Sequence, residues 1–210
     1  MKTLKLTSKD FKKSTSYWSD YIGKEDLSNF SGHVEIDNNL GWVRFDSISV
    51  TGHLWAGSNT GIEAGLDIEA GLDIVAGWGI VAGWGIEAGN GIEVGNGIEA
   101  GNNIVAGNDI VAGYNIVAGH NIVAGNSIKI GWGIEAGLSI TCKENLNAGY
   151  RIFAGTATWV DNISDEEKTI TCGKLEHGEI AYGILKETGL PDKELDIIEL
   201  NGKKYREIKE

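Results

Sequence analysis

Gly101-Asn102-Asn103-Ile104-Val105-Ala106-Gly107-Asn108-Asp109-Ile110-Val111-Ala112-Gly113-Tyr114-Asn115-Ile116-Val117-Ala118-Gly119 contains one six-residue phrase three times over. Outward from this stretch the phrase recurs sixteen times between Thr60 and Gly155. An aliphatic residue marks every sixth position, from Ile62, Ile68 and Ile74 through to Leu146 and Ile152. A fixed period of this length signals a solenoid. A helix is excluded, because a Gly in nearly every unit costs about 1 kcal/mol relative to Ala and a period of six does not track the helical 3.6. Strand alternation puts the Ile and the following Ala on one side, with the second and fourth residues of the unit facing solvent. Gly in the sixth slot allows corner conformations that a side chain would obstruct.

Composition agrees with an ordered repeat. The thirty-one glycines are periodic and there is one proline, Pro191; periodic glycine argues for order, not low complexity. The net charge of −12 is unevenly placed: +2 over residues 1–31, −2 over 32–59, −7 over 60–155 and −5 over 156–210. Such acidity argues against direct binding of DNA or RNA. No segment approaches membrane-spanning length and none reads as a signal peptide, which together with two cysteines, Cys142 and Cys172, points to a cytoplasmic protein with free thiols.

The Ile-x-Ala-Gly phrase resembles the hexapeptide-repeat family of left-handed parallel β-helices. That resemblance implies an all-β parallel solenoid in which three hexads form a triangular coil of eighteen residues. The run would then give about five coils stacked at about 4.8 Å, stabilised by stacking and backbone ladders instead of one globular core. The first slot departs from the family's small residue: Thr60, Leu66, Leu72, Trp78, Trp84, Asn90, Asn96, Asn102, Asn108, Tyr114, His120, Asn126, Trp132 and Leu138. Three large groups per coil would overfill a narrow interior. Either they turn outward at the corners or the solenoid is wider than the family's; the grouping of Asn96, Asn102 and Asn108 reads as a graded lateral surface or a stacked Asn core.

The fourth slot alternates in blocks. Glu63 and Glu69 precede Val75 and Val81; Glu87, Glu93 and Glu99 precede Val105, Val111, Val117 and Val123. If the slot faces solvent, the last block is a belt of exposed valines around one coil, and exposed apolar patches mark contact surfaces. Strand propensity alone also favours valine there. The candidate partner-binding residues are therefore Glu87, Glu93, Glu99, Val105, Val111, Val117 and Val123, with Trp78, Trp84 and Trp132.

The ends must be capped. Residues 1–31 read as a partly helical appendage, with Thr7 and Asp10 as a capping pair and Phe11, Tyr17, Trp18, Tyr21 and Ile22 as an apolar stripe. The solenoid is expected over 32–173, with two extra residues before Thr60 forming a small bulge. Ile140-Thr141-Cys142 and Ile170-Thr171-Cys172 are thirty residues apart, one coil plus twelve. Residues 156–167 are thus expected to loop out, with Cys172 stacked on Cys142. Residues 174–210 read as a C-terminal cap whose Asn201-Gly202 turn joins a β-hairpin.

Catalytic signatures are sparse. Many hexapeptide-repeat proteins are acyltransferases with a His general base near an extruded loop. Here His33, His53, His120 and His177 are dispersed, the loop 156–167 has no His, and His120 reads as wall-lining. There is no nucleophile elbow, phosphate-binding loop, cofactor motif or paired-His metal motif, and no threonine ladder of an ice-binding solenoid. The Trp-Gly-Ile-Glu-Ala-Gly units, Arg151-Ile152-Phe153-Ala154-Gly155 and Cys172-Gly173-Lys174-Leu175 are similar to uncharacterised phage and prophage proteins of Firmicutes. The expected function is a non-enzymatic, phage-encoded module that binds and inhibits a host protein with a basic surface, an anti-CRISPR-like role. The alternatives are a self-associating structural or virion component and, third, an acyltransferase trimer.

Overall fold

The computed structural model describes residues 1–189 and the backbone of two further strands, Ile197–Leu200 and Lys203–Arg206. The chain is an all-β parallel solenoid of about nine turns. Its coils have three faces. Face A stacks Ile48–Val50, Ile68–Ala70, Ile86–Ala88, Ile104–Ala106, Ile122–Ala124, Ile140–Cys142, Thr169–Cys172 and Ile184–Glu187. Face B begins at Thr3–Leu6 and His33–Ile36 and runs through Leu54–Ala56, Ile74–Ala76, Ile92–Val94, Ile110–Ala112 and Ile128–Ile130. Face C begins at Trp18–Tyr21 and Gly41–Phe45 and runs through Thr60–Ala64, Ile80–Ala82, Ile98–Ala100, Ile116–Ala118 and Ile134–Ala136. Two long strands, Asn145–Ala154 and Lys174–Tyr182, turn the corner between B and C and join these faces into one 17-stranded sheet.

The hexad explains this packing slot by slot. Ile74 pairs with Ile92 and Ile92 with Ile110, so each hexad meets the hexad eighteen residues away. The isoleucines are fully buried and the alanines beside them nearly so. The interior is therefore filled by Ile and Ala ladders, with Val94, Ile130 and Cys142 as larger or softer variants in the Ala slot. The sixth-slot glycines are required by proximity. A Cβ on Gly119 would run into the carbonyl oxygen of Gly101 one coil below, and Gly101, Gly107, Gly113 and Gly125 repeat the arrangement.

Second-slot side chains do more than face solvent. Asp67 Oδ1 accepts the Gly85 N–H at 2.9 Å, Asp73 Oδ1 that of Gly91 at 2.9 Å, and Asp109 Oδ1 that of Ser127 at 2.9 Å. Asn103, Asn115 and Asn121 do the same for Asn121, Gly133 and Ser139. Each carboxylate or amide satisfies a corner donor that the backbone ladder leaves over, as buried or half-buried donors require.

The N-terminal segment differs from a partly helical appendage. Thr3–Leu6 already lies in the parallel ladder against His33–Ile36, so the solenoid starts before residue 32. The helical part is one 3-10 turn, Ser8–Asp10, closed by the Thr7–Asp10 capping box. The aromatics serve a hairpin instead of a helix stripe. Phe11–Lys13 pairs antiparallel with Trp18–Tyr21, and Phe11, Tyr21 and Phe45 form one cluster with ring centroids 5.5–5.8 Å apart. Lys12 and Lys13 sit on the outer strand of that hairpin, where charge discourages further strand addition.

The extra residues before Thr60 form a stacked corner. Asn39 and Asn59 both adopt positive φ, and Asn59 Nδ2 donates to Asn39 Oδ1 at 2.9 Å. Val34, Leu54 and Ile74 are consecutive partners on face B, so the early coils run twenty residues instead of eighteen. At the other end Ile140 pairs with Ile170 and Thr141 with Thr171, as the twelve-residue excursion required. Lys174–Tyr182 and Ile184–Glu187 then add a further coil. Ile197–Leu200 pairs antiparallel with Lys203–Arg206; the expected Asn201-Gly202 turn lies outside the described residues.

Gly119→Ala should destabilise the fold by about 1–3 kcal/mol, because the added methyl forces two backbones apart. Gly91→Ala should be neutral or slightly stabilising: its Cβ would stand 3.4 Å from its nearest neighbours, and loss of unfolded-state entropy contributes about 0.4–1 kcal/mol. Urea denaturation midpoints of the two variants check the contrast.

Candidate binding surfaces

The fourth-slot residues point outward, and the eighteen-residue coil distributes them over three faces. On face A, Glu87 stands over Glu69, Val105 over Glu87 and Val123 over Val105. On face B the outward row reads Glu35, Trp55, Val75, Glu93, Val111 and Lys129. On face C it reads Arg44, Glu63, Val81, Glu99, Val117 and Glu135. Val105, Val111 and Val117 thus circle one coil with one valine per face. Only Val105 and Val123 are neighbours. A partner lying on one face meets no continuous apolar belt.

Apart from Thr60, which is buried and donates its hydroxyl to the Asp37 carbonyl at 2.8 Å, the first-slot side chains project outward at the corners, which decides between the two readings of that slot. Trp84 and Trp132 are 56% and 49% exposed, and the interior keeps its Ile–Ala cross-section. Asn96, Asn102 and Asn108 fall at three different corners and form no Asn core; Asn96 and Asn108 are exposed and Asn102 is half-buried. The corner between faces B and C instead carries an aromatic ridge. Trp42 stacks on Trp78 at 6.1 Å, Tyr114 on Trp132 at 5.7 Å, and Trp132 packs against Tyr150 at 5.4 Å. Asn96 interrupts it. Trp78 and Trp132 belong to this ridge, whereas Trp84 stands at the corner between C and A. The Arg151 guanidinium lies 5.0 Å over the Tyr150 ring, and Val117, Glu135 and Phe153 border a shallow hollow of about 260 Å³ beside Trp132.

A larger groove of about 680 Å³ runs along face B, bordered by Trp55, Glu93 and the corner column His33, His53, Asp73, Gly91 and Asp109. His33 and His53, scattered in sequence, are stacked with ring centroids 5.1 Å apart. His33 Nδ1 accepts the His53 backbone N–H at 3.0 Å. His53 Nδ1 lies 3.0 Å from Asp73 Oδ2 and 3.3 Å from the Asp73 backbone N. The Asp73 backbone N–H donates to His53 Nδ1, as the His53 N–H does to His33 Nδ1. The sequence signal for this groove is the twenty-residue step of His33, His53 and Asp73, matched by Glu35, Trp55 and Val75. It is hidden because the early coils lack the hexad's regular Ala-Gly.

The other histidines are engaged elsewhere. His177 Nδ1 is 2.9 Å from the Ala148 carbonyl. His120 packs against Trp159 of the looped-out segment at 4.6 Å, with its Nδ1 buried and unpartnered. That segment is internally tied: the Ser164 N–H and hydroxyl both donate to Glu167 Oε2, at 2.9 and 2.7 Å, and hold its carboxyl below the usual range. Among the described residues no group of three His, Cys, Asp or Glu side chains is placed to hold a metal ion, and no helix is long and apolar enough to cross a membrane.

Cys142 and Cys172 are buried free thiols in the Ala slot of successive face A coils. Burial, with a smaller contribution from Cys172, pushes the Cys142 thiol up to about 12. Burial and Glu187 push Cys172 up to about 11. The folded state therefore holds these protons more tightly than the unfolded chain. The resulting stability is complete below the ordinary thiol pKa near 9 and declines as pH rises from there through about 11 and about 12. Native protein at pH 8 should react negligibly with a disulfide reagent and yield both thiols on unfolding. Denaturation midpoints should fall as pH rises from about 9, and a double Cys→Ala variant should fall less steeply.

No protein-family model, curated protein or solved structure matches this chain.

Proposed function

We propose that the chain is a non-enzymatic protein-binding module that uses a rigid, acidic solenoid surface to engage a partner with a basic face. The observation that carries this reading is the set of outward carboxylates Glu87, Glu93, Glu99 and Glu135. None of them is ion-paired among the described residues, and they sit on ladders whose geometry is fixed by the coil below. A Glu69–Glu87 neighbour pair places like charges side by side, at a cost to the sheet of about 0.2–1 kcal/mol. A cationic partner would relieve that repulsion. Aromatic side chains on the neighbouring ridge supply the apolar anchors typical of protein interfaces.

The resemblance to phage proteins makes the natural target a host protein that grips nucleic acid through a basic channel, and the eighteen-residue coil supports assignment to the left-handed hexapeptide-repeat helices. Self-association is a second reading, favoured by the exposed ridge of Trp78, Tyr114, Trp132 and Tyr150. Light scattering across a range of concentrations separates the two, since a binding module for another protein stays monomeric.

Single charge reversals on different faces test the main reading. Glu87→Lys, Glu93→Lys and Glu99→Lys alter faces A, B and C in turn without touching the core. In pull-downs from a bacterial host lysate the wild type should recover a basic protein, and one of the three should weaken capture about tenfold or more while the others retain it. Equal capture by all three variants, or recovery of no specific protein, would sink the proposal.

A further inference from the structure

We infer that the face B groove beside Trp55 is a subsite for an arginine side chain presented by an extended, basic segment of the partner, an inference that rests on the protein-binding function proposed above. One small residue stands in the column that borders the groove. In the column His53, Asp73, Gly91 and Asp109, Gly91 alone carries no side chain and lies between Asp73 Oδ1 and the Asp109 backbone carbonyl, the two aspartates each being one coil away, or about 4.8 Å along the stack. Glu93 projects outward from the same coil as Gly91, and Val75 separates it from the indole of Trp55. Trp55 is 44% exposed.

The chemistry of this groove selects its occupant. A guanidinium is a planar cation whose edge donates to carboxylate oxygens in pairs and whose face stacks on an aromatic ring. The groove offers both: carboxylates at Asp73, Glu93 and Asp109, and an indole at Trp55, with an apolar floor for the aliphatic stem. Asp73 and Asp109 are held in place because each accepts a backbone N–H from the next coil. No cation among the described residues neutralises Glu93 or Asp109. Lys5, at the N-terminal end of the row, is paired with Glu35 at 3.3 Å, and Lys129 stands two coils beyond Glu93. A lysine would satisfy the charge but would lack the planar fork and the stacking face.

Isothermal calorimetry with an octa-arginine peptide at about physiological ionic strength, where long-range attraction is screened, tests the site. The wild type should bind, and octa-lysine should bind more weakly. Trp55→Ala, Glu93→Gln and Gly91→Asn should each weaken octa-arginine about tenfold, while Glu166→Gln in the exposed looped-out segment should leave it unchanged. Gly91→Asn narrows the groove with a residue the solenoid already accepts in the same slot at Asn103, Asn115 and Asn121, and circular dichroism verifies the fold. Absence of binding, equal affinity for the two peptides, or an equal loss in Glu166→Gln would overturn the subsite. If octa-arginine fails but a face-specific charge reversal still abolishes capture from lysate, the protein-binding reading stands without this subsite; if both fail, both fall.

Discussion

Every coil is bonded to its neighbours through its corners as well as through its strands. Ile98 donates its N–H to Asn115 O at 2.9 Å in the coil above. Gly101 and Asn96 donate to Ala82 O at 3.1 Å and Trp78 O at 2.9 Å in the coil below. Because the corner donors are used, the chain turns with no loop through the regular hexads, and the coil length there is held at eighteen residues. The close approach needed for these bonds leaves no room for a Cβ at most of the sixth slots, which is why glycine recurs there, with Lys143 the exception within the repeat. The Ile ladders follow from the same register: each buried Ile rests on another Ile, and burial of each contributes about 1.5–3 kcal/mol. A defect in one corner is felt by the coils on either side, as expected of a one-dimensional array.

The ladder also decides what the surface can display. Outward residues that neighbour one another in space are eighteen apart in sequence, so six-residue neighbours belong to different faces. Glu87, Glu93 and Glu99 look like one acidic run but place one carboxylate on each face. Trp78, Tyr114, Trp132 and Tyr150, spread over the repeat, share one ridge. With a rigid backbone, recognition has to be written in vertical columns, and substitutions within a column leave the scaffold untouched.

The hexad made much of this legible. The Ile, Ala and Gly slots, the parallel solenoid, the looped-out segment 156–167 and the stacking of Ile170-Thr171 on Ile140-Thr141 all follow from counting sixes and eighteens. Three features did not follow. Phe11 and Tyr21 have partly helical spacing, but their side chains are satisfied across an antiparallel hairpin, a choice settled by the tertiary partner Phe45. The role of Asp67, Asp73, Asn103 and Asp109 as acceptors for the next coil's N–H groups is invisible to alternation, which assigns those slots only to the outside. The His33–His53 pair and Trp55 lie where the coil lengthens to twenty residues through Asn39 and Asn59, so an eighteen-residue ruler misaligns them.

Acidity on such a scaffold has two explanations, solubility and recognition, and the ladders help to separate them. Solubility needs charge somewhere on the surface, and scattered carboxylates would serve. The fold does not need glutamate in the fourth slot: Val105 and Val123 occupy it in adjacent coils of face A, where they are better suited to a strand. Yet Glu69 and Glu87 are stacked against each other, an arrangement that a solubility requirement alone would avoid by alternating them with valine. On face B, Asp73, Glu93 and Asp109 border one groove that also holds the exposed indole of Trp55. The like-charge pair on face A and Glu93 beside an indole on face B, unpaired among the described residues, are separate features, and each supports recognition over solubility alone as the source of the acidity.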